Sequence, residues 1–366
     1  MEIKAMTQYF PLNFSVESMQ PNILLMCKLL FIVLCVYGFV GYIDDPYIPY
    51  IPQLDVFLNY PNVFKTLFKS IFVLSGILLL FNIRTRAAAI ILGSSVIIIL
   101  LSSKPLFRNH LFICGCVFLI AGFTNKNSYP WLLFIQFSLV YLGAFVNKVS
   151  QIEWWNGQFM YNWLANAREN LFFIYTSRLF PDMLLAKLLS WFAMLTELGI
   201  TVLFFFKKQH RNVGWVILLF HTVLYSITAF RFGHFYEDIV IMLLIFVHWP
   251  SETILVSFNK DMSPQVKRYF RLLSFSKTFE FSTKAILSDD WFQIKKESKI
   301  FTNWKALRFF LLHSTNFYVF LFFLDLFIRY LFNGFIMDFI HITLTWVIIL
   351  FFLPLLLKKK PKIDMI

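Results

Sequence analysis

Four ionisable side chains interrupt long apolar runs in this chain. His110 opens the run at 109–124, Lys148 ends the run at 131–148, Glu197 lies deep in 182–206, and His221 sits mid-way through 213–231. Ionisable groups are costly in an apolar interior and mark functional positions there. The chemistry these types can do together is proton transfer. A desolvated lysine can serve as a base, a histidine can carry a proton either way, and a carboxylate at that depth needs a partner or a proton of its own. A second group, Arg231, His234, Glu237 and Asp238, clusters between two runs, with His234 and Asp238 four residues apart on one helical face. Plainer readings stand beside these. A lysine at the end of an apolar helix can snorkel to the headgroups, as Lys65 and Lys69 are expected to do. The Arg231–Asp238 group can be an ion-pair staple closing a turn.

Other chemistries find no footing. The seven histidines form no HExxH or His-x-x-His spacing, and Cys27, Cys35, Cys114 and Cys116 all lie inside apolar runs, with no zinc or redox spacing. No glycine-rich phosphate loop and no nucleophile elbow occurs.

The elements that must position these residues follow from composition. Of 366 residues, 59% are hydrophobic, 20% aromatic and only 14% charged, with mean hydropathy +0.68. An average soluble domain carries about 25% charged residues. The expected fold class is therefore an all-α polytopic membrane protein. Ten spans are expected at 23–43, 64–83, 87–103, 109–124, 131–148, 182–206, 213–231, 235–249, 306–333 and 335–357, those at 109–124 and 235–249 short or broken. The net charge of +13 does not indicate nucleic acid, because Arg84/Arg86, Lys207/Lys208/Arg211 and Lys358/Lys359/Lys360 gather at the ends of apolar runs. That placement orients both termini to the cytoplasm and puts Asp44, Asp45 and Asp55 outside.

The organisation expected is a cytoplasmic segment at 1–22, a membrane domain at 23–250, a polar cytoplasmic insert at 251–305 and a helical hairpin with a basic tail at 306–366. The stretch 149–181, with Trp154, Trp155, Trp163, Phe172 and Phe173, is expected on the outer face as an interfacial helix or a re-entrant loop. The insert reads as a β-α-β fragment: a strand at 253–258, a helix at 263–275 and a strand at 278–282.

Residues 136–157 carry a family resemblance. They run Gln136-Phe-Ser-Leu-Val-Tyr141-Leu-Gly-Ala-Phe-Val-Asn-Lys148, then Trp154-Trp-Asn-Gly157. This resembles the vitamin K-dependent γ-carboxylase-like membrane family, also called the horizontally transferred transmembrane domain. Its pattern is Gln, Tyr, a small residue and a Lys at a span end, followed by Trp-x-x-Gly. Here one extra residue separates the Lys from the Trp. Asn109-His110 is similar to that family's Asn-His at a span start, and Phe220-His221 and Phe232-Gly233 to its later Phe-His span and Gly-containing turn. The resemblance covers roughly 20–250. The insert resembles a thioredoxin-like thiol-oxidoreductase module, but the run Asp261-Met262-Ser-Pro-Gln265 has Met262 and Gln265 where the two thiols would stand.

The resemblance implies a function. In the carboxylase branch a lysine base deprotonates a reduced quinone, oxygen adds, and the strong base so formed takes a γ-proton from glutamate for attack on CO₂. Lys148 and His110 are then the expected catalytic residues. Tyr141, Glu197 and His221 are expected around the cofactor, a menaquinol or vitamin K-like quinol from a bacterial inner membrane. Lys148 and His110 are expected to share a cavity near the outer face. The expected partners are membrane lipids, an exported peptide substrate and a cytoplasmic partner for the insert. Two alternatives stay open: a maturation or immunity factor for a secreted peptide toxin, and a non-catalytic membrane scaffold.

Overall fold

The computed structural model describes residues 19–324, apart from 44–45, 126–128, 229–234, 248–253, 275–278, 283–285, 287–289, 297–298, 315, 318 and 321–322. The expected span at 335–357, the basic tail, Arg231, His234 and Phe232-Gly233 therefore lie outside the described residues. The chain divides into two units, Met1–Tyr129 with Val247–Ile366, and the contiguous Pro130–Phe246.

The first unit opens with α1 (Pro21–Val36), α2 (Pro61–Leu80), α3 (Thr85–Ser102) and α4 (Asn109–Phe123). Proline stands in the first turn of α1 and of α2, where its missing N–H costs nothing. Helix α1 is buried on every face from Asn22 to Leu34, Lys28 included at 1% exposure. Phe31 of α1 seats over Gly76 of α2, where any Cβ would collide with its ring, and its ring lies tilted against Phe72 with centroids 5.3 Å apart. Helices α3 and α4 meet through glycine. A Cβ on Gly93 would strike the Leu119 amide and lie 2.6 Å from the Gly115 carbonyl oxygen, and one on Gly122 would lie 2.7 Å from the Arg86 carbonyl oxygen. Such backbone-to-backbone approach is how helices associate where lipid offers no hydrophobic drive. Arg86 is buried and donates through Nε to the Gly122 carbonyl at 3.0 Å, holding the end of α4.

The second unit contains α5 (Trp131–Val149), α6 (Leu171–Ser177), α7 (Leu184–Phe204), α8 (His210–Ile227) and α9 (Phe235–Met242). Helix α5 has two faces: Leu132, Ile135, Leu139, Leu142 and Val146 are exposed, while Leu133, Gln136, Phe137 and Tyr141 are buried. That spacing is one apolar stripe facing outward and one facing the neighbouring helices. The 149–181 stretch forms short helices at Ile152–Trp155 and Gln158–Tyr161, a π-helical turn at Asn162–Ala167, and α6.

The first unit resumes with the insert: β1 (Ile254–Phe258), α10 (Pro264–Leu273), β2 (Phe279–Phe281), β3 (Phe292–Lys296), β4 (Lys299–Thr302) and α11 (Asn303–Leu312). The sheet order is β2-β1-β3-β4, with β1 and β2 parallel and the other pairings antiparallel. Ser263 caps α10 by accepting from the Val266 amide at 3.3 Å. Both helices cover one face of the sheet. Phe270 of α10 lies 5.0 Å from Phe310 of α11, and Phe310 lies 4.6 Å from Phe279. Leu255, Lys295 and Ile300 on the other face are exposed.

The protein is thus mostly helical, with membrane-type helices and a small sheet, but ten full-length spans are not supported. Among the described residues four helices, α2, α3, α5 and α7, are long and apolar enough to cross a membrane. Helices α1 and α4 stop at 16 and 15 residues, α4 because Thr124 turns extended and its hydroxyl bonds the Ala121 carbonyl. Helix α8 starts with His210, Arg211 and Asn212, which lower its apolar character. The expected span at 235–249 is an eight-residue helix followed by a 3₁₀ turn, Leu243–Phe246. The expected span at 306–333 does not begin as one, since Ala306, Phe309 and Phe310 are core residues of the sheet module. That module therefore extends beyond residue 305.

Replacing Gly93 by valine should markedly lower the thermal unfolding temperature in detergent, because backbone atoms of α4 cannot yield. Gly143→Val, where no atom lies within 4 Å of the added Cβ, should change it little, and equal losses would refute the close-packing account.

Candidate functional site

Four of the five expected site residues come together in the second unit. Lys148, in the last turn of α5, reaches Glu197 of α7 with Nζ donating to Oε1 at 2.6 Å and to Oε2 at 2.9 Å. Its side chain is 17% exposed and that of Glu197 7%. Lys148 therefore turns inward and does not snorkel. Tyr141, two helical turns before Lys148 on α5, is buried and lies 2.9 Å from Nε2 of His221 on α8. The two pairs bear on each other electrostatically, Glu197 on Tyr141 and Lys148 on His221.

The Trp-x-x-Gly segment builds a cover for the lysine. The Trp154 ring lies 5.0 Å from Lys148 Nζ, a cation–π contact, and is stacked at 4.3 Å on Phe159. Trp155 Nε1 donates to the Val149 carbonyl at 2.8 Å, and Trp191 Nε1 of α7 donates to the Trp155 carbonyl at 3.1 Å. Gly157 has φ +80, and a Cβ there would lie 2.6 Å from the Lys187 amide nitrogen. Only glycine meets both demands, so the segment is pinned against the start of α7.

Two buried polar atoms beside this cluster have no hydrogen-bond partner among the described residues: Nδ1 of His221 and Oγ of Ser190 on α7. Ser190 stands two turns before Glu197 on the same buried face of α7, with Ala193, Met194 and Thr201. Buried polar groups are normally satisfied, so an orphan marks a place for water or a ligand.

His110 is in the first unit, half-buried in the first turn of α4. Glu237 and Asp238 are buried in the first turn of α9, where acidic residues complement a helix N-terminus. The reading from spacing singled out Lys148 and Glu197 separately and did not pair them. It also passed over Ser190, Trp154 as the lysine's cover, and Lys28, whose charge within an apolar run was the available signal.

The chain matches no family model, no curated protein and no solved structure.

An unpaired charge in such surroundings costs more than the pair. Glu197→Leu should therefore destabilise the protein by about 3–5 kcal/mol in detergent unfolding, while adding Lys148→Met to it should recover most of that loss. A double variant as unstable as the single would show that packing, not charge pairing, holds α5 to α7.

Proposed function

We propose that this chain is an integral membrane enzyme of the vitamin K-dependent carboxylase-like kind. In this reading Lys148 is the proton-taking base toward a reduced quinone from the bilayer, and an exported peptide is the class of final substrate. The observation that carries it is the inward turn of Lys148 onto Glu197 beneath Trp154. A hydroquinone is a flat ring with two oxygens, and the residues present fit one. Trp154, stacked on Phe159, lies over Lys148, Phe220 and Phe235 flank His221, and His221 Nδ1 is a buried polar atom with an unmet hydrogen bond. When bound, the quinol supplies an acidic hydroxyl and reducing electrons.

Lys148 can take a proton only as the free amine. The 2.6 Å contact to Glu197 gives it a route: a proton passes from Nζ to Oε1, leaving an amine and a carboxylic acid with no net charge in the apolar interior. Transfer along a preformed hydrogen bond is the geometry general acid–base chemistry requires. Trp154 covers one side of the amine. His110 enters this reading through the resemblance alone.

The basic clusters at the ends of apolar runs support an orientation with both termini cytoplasmic, and the Phe-, Ile-, Lys- and Asn-rich composition supports a bacterial inner membrane as the location in this reading. We read the insert as a thioredoxin-like module without its thiols. The β2-β1-β3-β4 order, the parallel β1–β2 pair and the position of Met262 and Gln265 at the start of α10 support this. The absent thiols also favour a second reading for this part, a non-catalytic scaffold for a cytoplasmic partner, since disulfide exchange needs a thiolate.

The base reading is tested by quinol-dependent oxygen uptake in proteoliposomes supplied with menaquinol-4. Lys148→Arg should reduce uptake about a hundredfold or more, because guanidinium keeps its proton, and Lys65→Arg should leave it unchanged. If wild-type protein supports no uptake, or both variants equal it, the enzyme reading fails. For the insert, cysteines introduced as Met262→Cys with Gln265→Cys should form a disulfide readily under mild oxidation. Persistence of two free thiols would argue against a thioredoxin-like turn.

A further inference from the structure

The Tyr141–His221 contact fixes where one proton must sit. Tyr141 is 4% exposed and His221 7%, and the 2.9 Å Oη···Nε2 contact is the one side-chain hydrogen bond of either residue among those described. If the imidazole is neutral, two arrangements satisfy that contact. In one, the tyrosine hydroxyl donates to bare Nε2, and the ring proton is on Nδ1. In the other, Nε2–H donates to the tyrosine oxygen. The phenolic hydrogen is then unspent and the Nδ1 lone pair has no donor, so two buried groups go unmet instead of one. A doubly protonated ring likewise leaves two donors unspent, Nδ1–H and the phenolic hydrogen. Unmade buried hydrogen bonds are what folded proteins avoid, so the first arrangement wins. It leaves a single unspent group, an Nδ1–H donor. Its ring neighbours Phe220 and Phe235, with centroids at 5.2 and 5.5 Å, offer it no side-chain acceptor.

We propose that His221 Nδ1–H is a binding contact for an acceptor oxygen of the ligand, a quinone-type carbonyl or the ionised hydroxyl of its reduced form. Tyr141 is the positioning residue that fixes the tautomer. The ligand's identity rests on the quinone reading above; the donor itself does not. A histidine held this way sorts ligands by oxygen type. It welcomes an acceptor oxygen and leaves a hydrocarbon ring without a reason to prefer the site.

The experiment is nitrogen NMR on protein with ¹⁵N-labelled histidine rings, in bilayers, with His221 assigned by comparison with His221→Asn. The probe is 2-methyl-1,4-naphthoquinone, which has acceptor oxygens only, and 2-methylnaphthalene is the control ring without oxygens. The wild-type ring should carry its proton on Nδ1, and the naphthoquinone, not the hydrocarbon, should shift that resonance. Tyr141→Phe should lose the fixed tautomer and bind the naphthoquinone about tenfold more weakly, with binding of the hydrocarbon unchanged. A proton on Nε2 in the wild type, or an Nδ1 resonance unmoved by saturating naphthoquinone, overturns the proposal. A silent Lys148→Arg with these shifts intact would remove the base reading and leave the binding contact standing.

Discussion

The second unit depends on one ion pair. A lysine and a glutamate in neighbouring apolar helices are each intolerable alone, because an isolated buried charge loses its hydration with nothing in return. Together, with Nζ on both carboxylate oxygens, they lock the rotation of α5 against α7. The other features of the cluster follow from that rotation. It sends the exposed stripe from Leu132 to Val146 outward, brings Tyr141 to His221, and leaves Trp154 to close over the ammonium. The glycine at 157 exists because the closing segment must touch α7 backbone to backbone.

The two units solve helix packing by different physics. In the first, α3 and α4 use glycine to bring backbones into contact, and α1 is sheathed on every face. Many small dispersion contacts hold such an arrangement. In the second, side-chain polar pairs cross between helices whose outer faces are plain hydrocarbon. Polar contacts in that setting are directional and few, so each fixes geometry more than it adds stability.

How much of this was legible in the sequence varies with the physics. The exposed and buried faces of α5, and with them the shared face of Tyr141 and Lys148, follow from helical periodicity. The strands and helix of the insert fall within about two residues of where alternation and the Ser263-Pro264 start placed them. The Lys148–Glu197 pair was not legible, since the two residues stand 49 positions apart and their meeting depends on how two helices rotate. Helix α11 was misread for another reason. Ala306, Phe309 and Phe310 look alike whether a sheet or lipid covers them, and no glycine or proline separates them from the apolar run that follows. The short α4 and the broken α9 agree with the expectation that 109–124 and 235–249 fall short of full spans.

The division of the chain has a consequence for its biogenesis. The first unit is built from two separated stretches with the second unit between them. The side chain of Asn22 donates to the carbonyl of Val247, a contact spanning 225 residues. On a ribosome that adds about 5–20 residues each second, that bond has no acceptor until the whole of 130–246 has been made. The contiguous unit can therefore settle during synthesis before the Asn22 contact of α1 is made. A backbone carbonyl made after the whole second unit thus completes a contact of a helix made before it.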